Sequence, residues 1–151
     1  MEVAKQSILV VDDDENDRFF IDLALQKTAL PLLVKLTSDG AEAIAYLEGQ
    51  GKFSDRNQFP LPSLIFVDLK MPRVTGFELL KWLKAQEVFR RIPAVVISSS
   101  GAQQDIDRAY DLGANVYLIK PVSPEQFRQL FNAAGEFFIQ LAAKPSVPTK
   151  L

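Results

Sequence analysis

The chain carries four short runs that are almost entirely apolar and rich in β-branched residues. They are residues 8–11, 64–67, 94–97 and 116–119. Runs of this length and composition are typical of parallel strands that are buried on both faces of a sheet. A fifth run, residues 32–36, contains a lysine, which indicates a less enclosed strand at the edge of the sheet.

Segments with helical spacing of apolar residues separate these runs. They begin after Asp14, at Asp39, near Phe77, near Ile106 and at Ser123. Parallel strands require such segments, because each return crossing takes a dozen or more residues. The pattern therefore predicts a doubly wound α/β domain with a five-stranded parallel sheet, over residues 1–143, followed by a flexible tail, 144–151.

The last helical segment opens with two strong start signals, a serine at the cap and a proline at the first helical position. Its apolar residues keep the helical period over a long stretch: Phe127, Leu130, Phe131, Ala134 and Phe138. We therefore expect one helix over residues 123–142. Its second half carries more apolar groups than one face can bury, so Phe137 or Leu141 is expected to face solvent and to form a contact surface.

The composition narrows the chemistry that this domain can perform. The 151 residues include no cysteine and no histidine, which excludes disulfides, thiol catalysis, zinc sites and nucleophiles that need an imidazole base. A net charge of -2 provides no general attraction to nucleic acid or anionic lipid. No apolar run approaches the roughly 18 residues of a membrane span, so a cytoplasmic protein with protein partners is expected.

The connection over residues 49–63 is unusually long for a compact domain. Its length is consistent with a contact loop and equally with a variable insertion.

Polar residues follow each buried run. They are Asp12, Asp13 and Asp14, then Asp68, then Ser98, Ser99 and Ser100, and finally Lys120. In an open α/β sheet the ligand site lies beyond the carboxyl ends of the strands, at the point where the strand order reverses. With strand order 2-1-3-4-5, Asp12 and Asp13 face Asp68 across this point. Asp14 also fits the N-cap of the following helix.

Three converging carboxylates need a cation, since like charges at this distance disfavour mutual ionisation. Oxygen-only ligands favour Mg²⁺, with Mn²⁺ as an alternative. The cation and Lys120 together balance the three aspartates. A serine hydroxyl, an ammonium, a divalent cation and one uncommitted carboxylate compose a phosphoryl-transfer site, with Asp68 as the nucleophile.

The same residues resemble the receiver domain of two-component response regulators. The resemblance rests on Asp12-Asp13, on Asp68-Leu69-Lys70-Met71-Pro72 with Gly76, on Ser98 and on Lys120-Pro121, and it extends from residue 7 to residue 141. It implies a flavodoxin-like fold with strand order 2-1-3-4-5. The long loop before Ser63 and the triple serine are similar to a subgroup that includes partners of bacterial phytochromes.

The resemblance also implies a role for each residue. The metal would be held by Asp12, Asp13, Asp68 and the backbone carbonyl of Lys70; Asp68 would be the phosphoacceptor, Ser98 and Lys120 would contact the phosphoryl group, and Ser98 and Tyr117 would form the switch. Tyr117 fits simple shielding of an edge strand equally well.

The function implied is that of a stand-alone response regulator rather than a metabolic enzyme. A histidine kinase or histidine phosphotransfer protein would supply the phosphoryl group, because this chain has no histidine of its own. The domain would assist its own phosphorylation and dephosphorylation. Its output would be altered contacts with a downstream protein, together with a homodimer through the last helix, and no nucleic acid or membrane would be involved.

Three alternatives remain at this point. A phosphohydrolase of the haloacid dehalogenase type would use Asp12 as its nucleophile, but Asn16 stands where such enzymes usually have Thr or Val, and no acidic pair follows Lys120. A nucleotide or flavin module would need a glycine-rich loop that binds phosphate after the first strand. This chain has three acids at that position instead. A degenerate receiver would act only as a binding module, although no expected site residue is missing.

Overall fold

Five parallel strands alternate with five α-helices in the computed structural model, which describes residues 6–27 and 32–141. The strands are β1 (Gln6–Val11), β2 (Leu32–Thr37), β3 (Leu64–Val67), β4 (Ala94–Ser98) and β5 (Val116–Ile119). The helices are α1 (Glu15–Gln26), α2 (Gly40–Glu48), α3 (Gly76–Ala85), α4 (Gln103–Asp111) and α5 (Pro124–Gly135). Within the described residues, no helix is long and apolar enough to cross a membrane.

The strand order is β2-β1-β3-β4-β5, and every neighbouring pair is parallel. This confirms the predicted doubly wound sheet and its order. The register pairs Val11 with Val67, and Ser98 with Ile119. The strands therefore end at the same edge of the sheet, and the residues that follow β1 and β3 are brought side by side.

Alternation along the strands divides the core between the two faces of the sheet. Ile8 and Val10 of β1 pack with apolar residues of α1 and α5, whereas Leu9 and Val11 pack with α2 and α3. The central strands are buried on both faces, as the apolar runs predict. For β5 that prediction is wrong: Ile119 is 48% exposed, because β5 is an edge strand with a neighbour on one side only.

Side-chain caps begin most of the helices. Asp14, Asp39, Thr75 and Ser123 each accept a hydrogen bond from the backbone N–H three residues further on. Such caps satisfy one of the free N–H groups of the first turn. The N-cap role expected for Asp14 is therefore confirmed, and its carboxylate is committed to α1.

The end of the last helix differs from the continuous α-helix that the periodicity predicts. After α5 the chain forms a π-helix over Glu136–Leu141. Turns bonded i to i+5 hold more residues than α-helical turns, so the side chains that follow are rotated relative to the α-helical stripe. As a result Ile139 is buried, whereas the predicted core residue Phe138 is only half-buried. Ala142 and the predicted tail 144–151 lie outside the described residues.

The long connection after α2 is packed rather than extended into solvent. Phe53 and Phe59 form an aromatic cluster with Tyr46 of α2, with ring centroids 5.1 to 5.9 Å apart. Arg56 donates to the carbonyls of Tyr46 and Leu47, at 2.8 and 2.6 Å. Carbonyls in the last turn of a helix have no partner within the helix, so the Arg56 guanidinium caps the end of α2. This segment thus closes one end of the core.

Candidate functional site

Three carboxylates converge at the carboxyl edge of the sheet. Asp12, Asp13 and Asp68 each offer an oxygen within 4.8 Å of the others. Asp12 and Asp68 are 2% and 9% exposed, whereas Asp13 faces solvent. Their convergence follows from the pairing of β1 with β3, since Asp12 and Asp68 come directly after the last residues of these strands and Asp13 follows Asp12. The sequence-based prediction of an acidic cluster is confirmed.

The donor set fits a hard divalent cation. Oxygens bound to one Mg²⁺ at about 2.1 Å lie at most about 4.2 Å apart, so small side-chain rotations bring the three carboxylates into range. Lys70, whose backbone carbonyl is the fourth expected ligand, lines the same cavity as Asp13 and Asp68. Bound there, the cation would neutralise the clustered charge and polarise an incoming phosphoryl oxygen.

Lys120 contacts this cluster from the carboxyl end of β5. Its Nζ lies 2.6 Å from Oδ2 of Asp12, 2.8 Å from Oδ2 of Asp17 and 3.5 Å from Oδ2 of Asp68. The Lys120 side chain is 9% exposed, so these pairs are largely shielded from solvent. The predicted placement of Lys120 beside Asp68 is confirmed.

Asp17 is the residue that sequence reasoning missed. It lies in the first turn of α1, where an acid is explained by the helix dipole alone. The available signal was its position in the first turn of a helix that starts at the same strand end as Asp12 and Asp13. A search limited to the residues that directly follow each strand does not include a residue in the first turn of the next helix.

Burial changes the acidity of this cluster. It raises the pKa of Asp68 to about 6, and the positive charge of Lys120 opposes this rise. Burial also raises the pKa of Asp12, despite its hydrogen bond to Lys120. Burial alone would lower the pKa of Lys120, but Asp12, Asp17 and Asp68 together raise it, so the ammonium stays charged.

We expect the Mg²⁺ affinity to depend on pH near the pKa of Asp68. The ordinary pKa of 3.8 is raised to about 6, so the folded protein retains a proton on Asp68 over this interval, and that proton competes with the metal. Calorimetric titration should show an affinity about ten-fold lower at about pH 5 than at about pH 7. The dependence should weaken in Asp68→Asn. If the wild-type protein binds Mg²⁺ with the same affinity at both pH values, the expectation is contradicted.

A cavity of about 560 Å³ opens beside Asp68, and it is lined by Asp13, Lys70, Ser99 and Lys120 among others. Ser98 is at the end of β4 and only 1% exposed, and its Oγ accepts a hydrogen bond from the N–H of Ser100. Ser99, to which the sequence had assigned only a turn, lines this cavity, whereas Ser98 does not.

Tyr117 is attached to the loop that follows β4. Its hydroxyl donates to the carbonyl of Ser100 at 2.8 Å, and its backbone N–H donates to Oη of Tyr110 in α4. The side chain is half-buried against α3 and α4. A displacement of the loop after β4 would therefore be transmitted to the edge strand and to α4.

The loop between β3 and α3, which carries Lys70, is held by the start of α2. The backbone N–H of Gly40 donates to the carbonyl of Val74 at 3.1 Å, and a Cβ at Gly40 would lie 2.5 Å from that oxygen. Nε of Arg73 donates to the buried Asp39 carboxylate at 2.8 Å. Arg73 has a φ of 63°, the left-handed region that is costly for a residue with a Cβ. These contacts fix the loop beside Asp68.

The family model of the response regulator receiver domain matches residues 8–132. The chain belongs to this family. Response regulator Rcp1 from Synechocystis sp. is 28% identical to the receiver over 139 residues, which are 92% of this chain and 92% of Rcp1. The probable methanogenesis regulatory protein FilR2 from Methanothrix harundinacea is 33% identical over 135 residues, which are 87% of this chain and 83% of FilR2.

Solved structures agree with this assignment. The phosphorylated cyanobacterial phytochrome response regulator RcpA superimposes with a TM-score of 0.89 at 35% identity, over 95% of this receiver and all of that chain. The Mn²⁺-bound form of Rcp1 superimposes with a TM-score of 0.87 at 28% identity, over 93% of this receiver and 99% of that chain. The receiver is therefore similar to phytochrome-associated response regulators over nearly its whole length.

Proposed function

We propose that this response regulator accepts a phosphoryl group on Asp68 from a phosphohistidine of a sensor kinase or phosphotransfer protein, with Mg²⁺ or Mn²⁺ as the cofactor. One observation supports this most directly: the nearly buried Asp68 carboxylate lies 3.5 Å from the Lys120 ammonium and within 4.8 Å of two further acids, at the floor of an open cavity. Asp12, Asp13, the Lys70 carbonyl and one oxygen of Asp68 would hold the cation, and the other oxygen of Asp68 would attack phosphorus.

In the proposed step, a carboxylate oxygen of Asp68 forms a bond to phosphorus while the bond between phosphorus and the donor's imidazole nitrogen breaks. An imidazole protonated on its other nitrogen leaves as the neutral base. Lys120 would then bind a phosphoryl oxygen, and Ser99, which lines the same cavity, would donate to another. Ser98 would make its contact after the loop that follows β4 has moved toward the phosphoryl group.

The surroundings of the site support a protein donor over a small phosphate ester. A second cavity, of about 270 Å³, shares Lys120 with the first and is lined by Phe20, Pro121, Val122 and Phe127. Phe20 is 40% exposed, and Val122 is fully exposed. Apolar side chains at the rim of a polar site are typical of a protein contact, and a small ester would leave them uncovered.

The direct test is incubation with Mg²⁺ and acetyl phosphate, followed by mass spectrometry of the intact protein. We expect one phosphoryl group per chain, and none when the cation is removed by a chelator. Continuous turnover of small phosphate esters without a stable adduct, or a label on Asp12, would instead support a hydrolase of the haloacid dehalogenase type.

Substitutions of Asp13, Ser98 and Lys120 should differ in their effects on Mg²⁺ binding. Asp13→Ala should lower the Mg²⁺ affinity by about 100-fold, because a carboxylate ligand is lost from an exposed position where folding is little affected. Ser98→Ala and Lys120→Ala should retain Mg²⁺ binding, since their proposed partner is the phosphoryl group, and should instead lose the response to phosphorylation. Metal titration by calorimetry measures this difference. An equal loss of Mg²⁺ binding in all three variants would contradict the division of roles.

We further propose a homodimer through the last helix. Phe137, in the π-helix that follows α5, is 55% exposed, and Tyr110 of α4 and Ile119 of β5 are exposed apolar side chains as well. A two-fold interface would bury them on both copies. Sedimentation at micromolar concentration, with and without a phosphoryl mimic, should show a dimer that Phe137→Glu weakens. A monomer in both states, unchanged by this substitution, would overturn the proposal.

The side chain of Leu141, the other residue expected at this surface, lies outside what the structure describes. The same holds for the domain boundary at residue 143, which stays a prediction. A cytoplasmic location, a downstream protein target and self-assisted dephosphorylation complete the proposal.

A further inference from the structure

Among the described residues, the carboxylates within ion-pair distance of Lys120 are those of Asp12, Asp17 and Asp68. An ammonium has three protons to donate. Two of them are used by Asp12 and Asp17, at 2.6 and 2.8 Å, whereas Asp68 at 3.5 Å is beyond a good hydrogen bond. Lys120 is therefore hydrogen-bonded to Asp12, which follows β1, and to Asp17 in α1, and not to the residue that we propose to be phosphorylated.

Asp17 differs from the other two acids in its position. Asp12 and Asp68 belong to the group whose oxygens can surround one cation, and Asp17 does not. A cation bound to Asp12 would weaken the hold of Asp12 on Lys120, because the two positive charges share that carboxylate. Asp17 would keep its hydrogen bond, and so it would become the main partner of Lys120 in the metal-bound receiver.

The charges of the site lead to the same conclusion. Asp12, Asp13, Asp17 and Asp68 carry four negative charges, while a divalent cation and Lys120 carry three positive charges. The metal-bound site therefore has a net charge of -1 before a phosphoryl dianion arrives. Without the charge of Asp17, the same site is neutral. Asp17 opposes the phosphoryl group both through its charge and by holding the ammonium that the group needs.

We propose that Asp17 is a positioning residue that competes with the phosphoryl group on Asp68 for Lys120 and thereby lowers the stability of the phosphorylated state. This inference rests on the proposed function of Asp68. Phosphorylation then requires Lys120 to exchange Asp17 for a phosphoryl oxygen. The exchange also breaks a link between α1 and the loop after β5, because Asp17 and Lys120 connect these two elements.

The test compares two substitutions that remove the same charge from the same helical turn. Asp17→Asn removes the negative charge that faces Lys120 and leaves at most a neutral hydrogen-bond acceptor. Glu15→Gln is the control, since Glu15 lies two residues away, lines the same cavity and belongs to the same first turn, but makes no ion pair with Lys120 in the described structure. Both variants lose the same interaction with the helix dipole, so differences between them report on Lys120.

Two affinities are measured for each protein by calorimetry: Mg²⁺ alone, and beryllofluoride, a phosphoryl mimic, in saturating Mg²⁺. For Asp17→Asn we expect beryllofluoride to bind about ten-fold more tightly than in the wild type, the effect of one charge-assisted hydrogen bond. Mg²⁺ should bind about two-fold more weakly, because a nearby negative charge is lost. Glu15→Gln should change beryllofluoride binding by less than about two-fold.

Asp17→Asn is expected to raise the affinity for beryllofluoride and to lower the affinity for Mg²⁺. A merely structural role of Asp17 would lower both affinities together. Beryllofluoride binding by Asp17→Asn that is equal to or weaker than that of the wild type overturns the inference alone. A wild-type protein that binds Mg²⁺ but not beryllofluoride, or an Asp68→Asn variant that binds both, overturns the proposed function and this inference with it.

Discussion

Asp68→Asn should abolish covalent labelling of the receiver by acetyl phosphate, a loss of at least about 100-fold. The substitution replaces the nucleophilic oxygen with an amide but keeps the size of the side chain. Its Oδ1 can still accept the hydrogen bond that the N–H of Leu69 donates at 2.8 Å, so the end of β3 should keep its structure. Radiolabelling that is sensitive to hydroxylamine, the reactivity of an acyl phosphate, measures the effect.

The matched control for this experiment is Asp14→Asn. Asp14 is also an acid at this edge of the sheet and lines the same cavity, but its carboxylate caps α1, and asparagine is an equally good N-cap. We expect labelling at the wild-type level in this variant. A label that persists at that level in Asp68→Asn would move the phosphoacceptor to another residue and would overturn the proposed function.

Gly76→Ala should destabilise the receiver by about 3 kcal/mol. A Cβ at Gly76 would lie 2.1 Å from the carbonyl oxygen of Asp68 and 2.6 Å from Cα of Leu69, and both of these atoms belong to the backbone. Neither can move without shifting the end of β3. The hydrogen bond from the N–H of Gly76 to the carbonyl of Leu69, at 2.9 Å, would be lost in the same displacement. Urea unfolding gives the change in stability.

Gly101→Ala provides the comparison for this substitution. The nearest atom to a Cβ there is Cδ1 of Ile119 at 3.6 Å, which is ordinary van der Waals contact. The free energy of unfolding should change by less than about 0.5 kcal/mol, as for most surface substitutions. Closely similar unfolding midpoints for the two variants would show that α3 can move away from β3, contrary to the close packing described here.

Gly76 illustrates the limit of a motif. In the sequence it belongs to the pattern that begins at Asp68, and the resemblance to receiver domains points to it without a physical reason. In the structure the reason is the approach of α3 to the end of β3, at a distance that leaves no room for a side chain. How closely α3 approaches β3 depends on the packing of the two elements, and local patterning does not contain this distance.

The strands and the acidic cluster could be predicted, because each depends on local or repeated signals. Four apolar runs indicated buried strands, and helical segments between them required parallel pairing. Once the strands are parallel, the residues that follow them share one edge, and the strand order 2-1-3-4-5 places Asp12 and Asp13 beside Asp68. Lys120 reaches this cluster from β5, at the edge of the sheet. The prediction that β5 is buried on both faces was wrong for the same reason: it used a local signal, and an apolar run does not reveal whether the strand has one neighbour or two.

The sequence by itself determined the α/β class, the edge where the chemistry lies and the residues that bear it, because hydrophobic periodicity and strand-end position are properties of neighbouring residues. Only the tertiary structure decided which of those residues contact each other and which of them line the cavity. It paired Lys120 with Asp17 across more than a hundred residues, placed Ser99 rather than Ser98 at the cavity, and rotated Ile139 into the core through a π-helix. Each of these depends on how packed elements approach in space, which a local pattern does not contain.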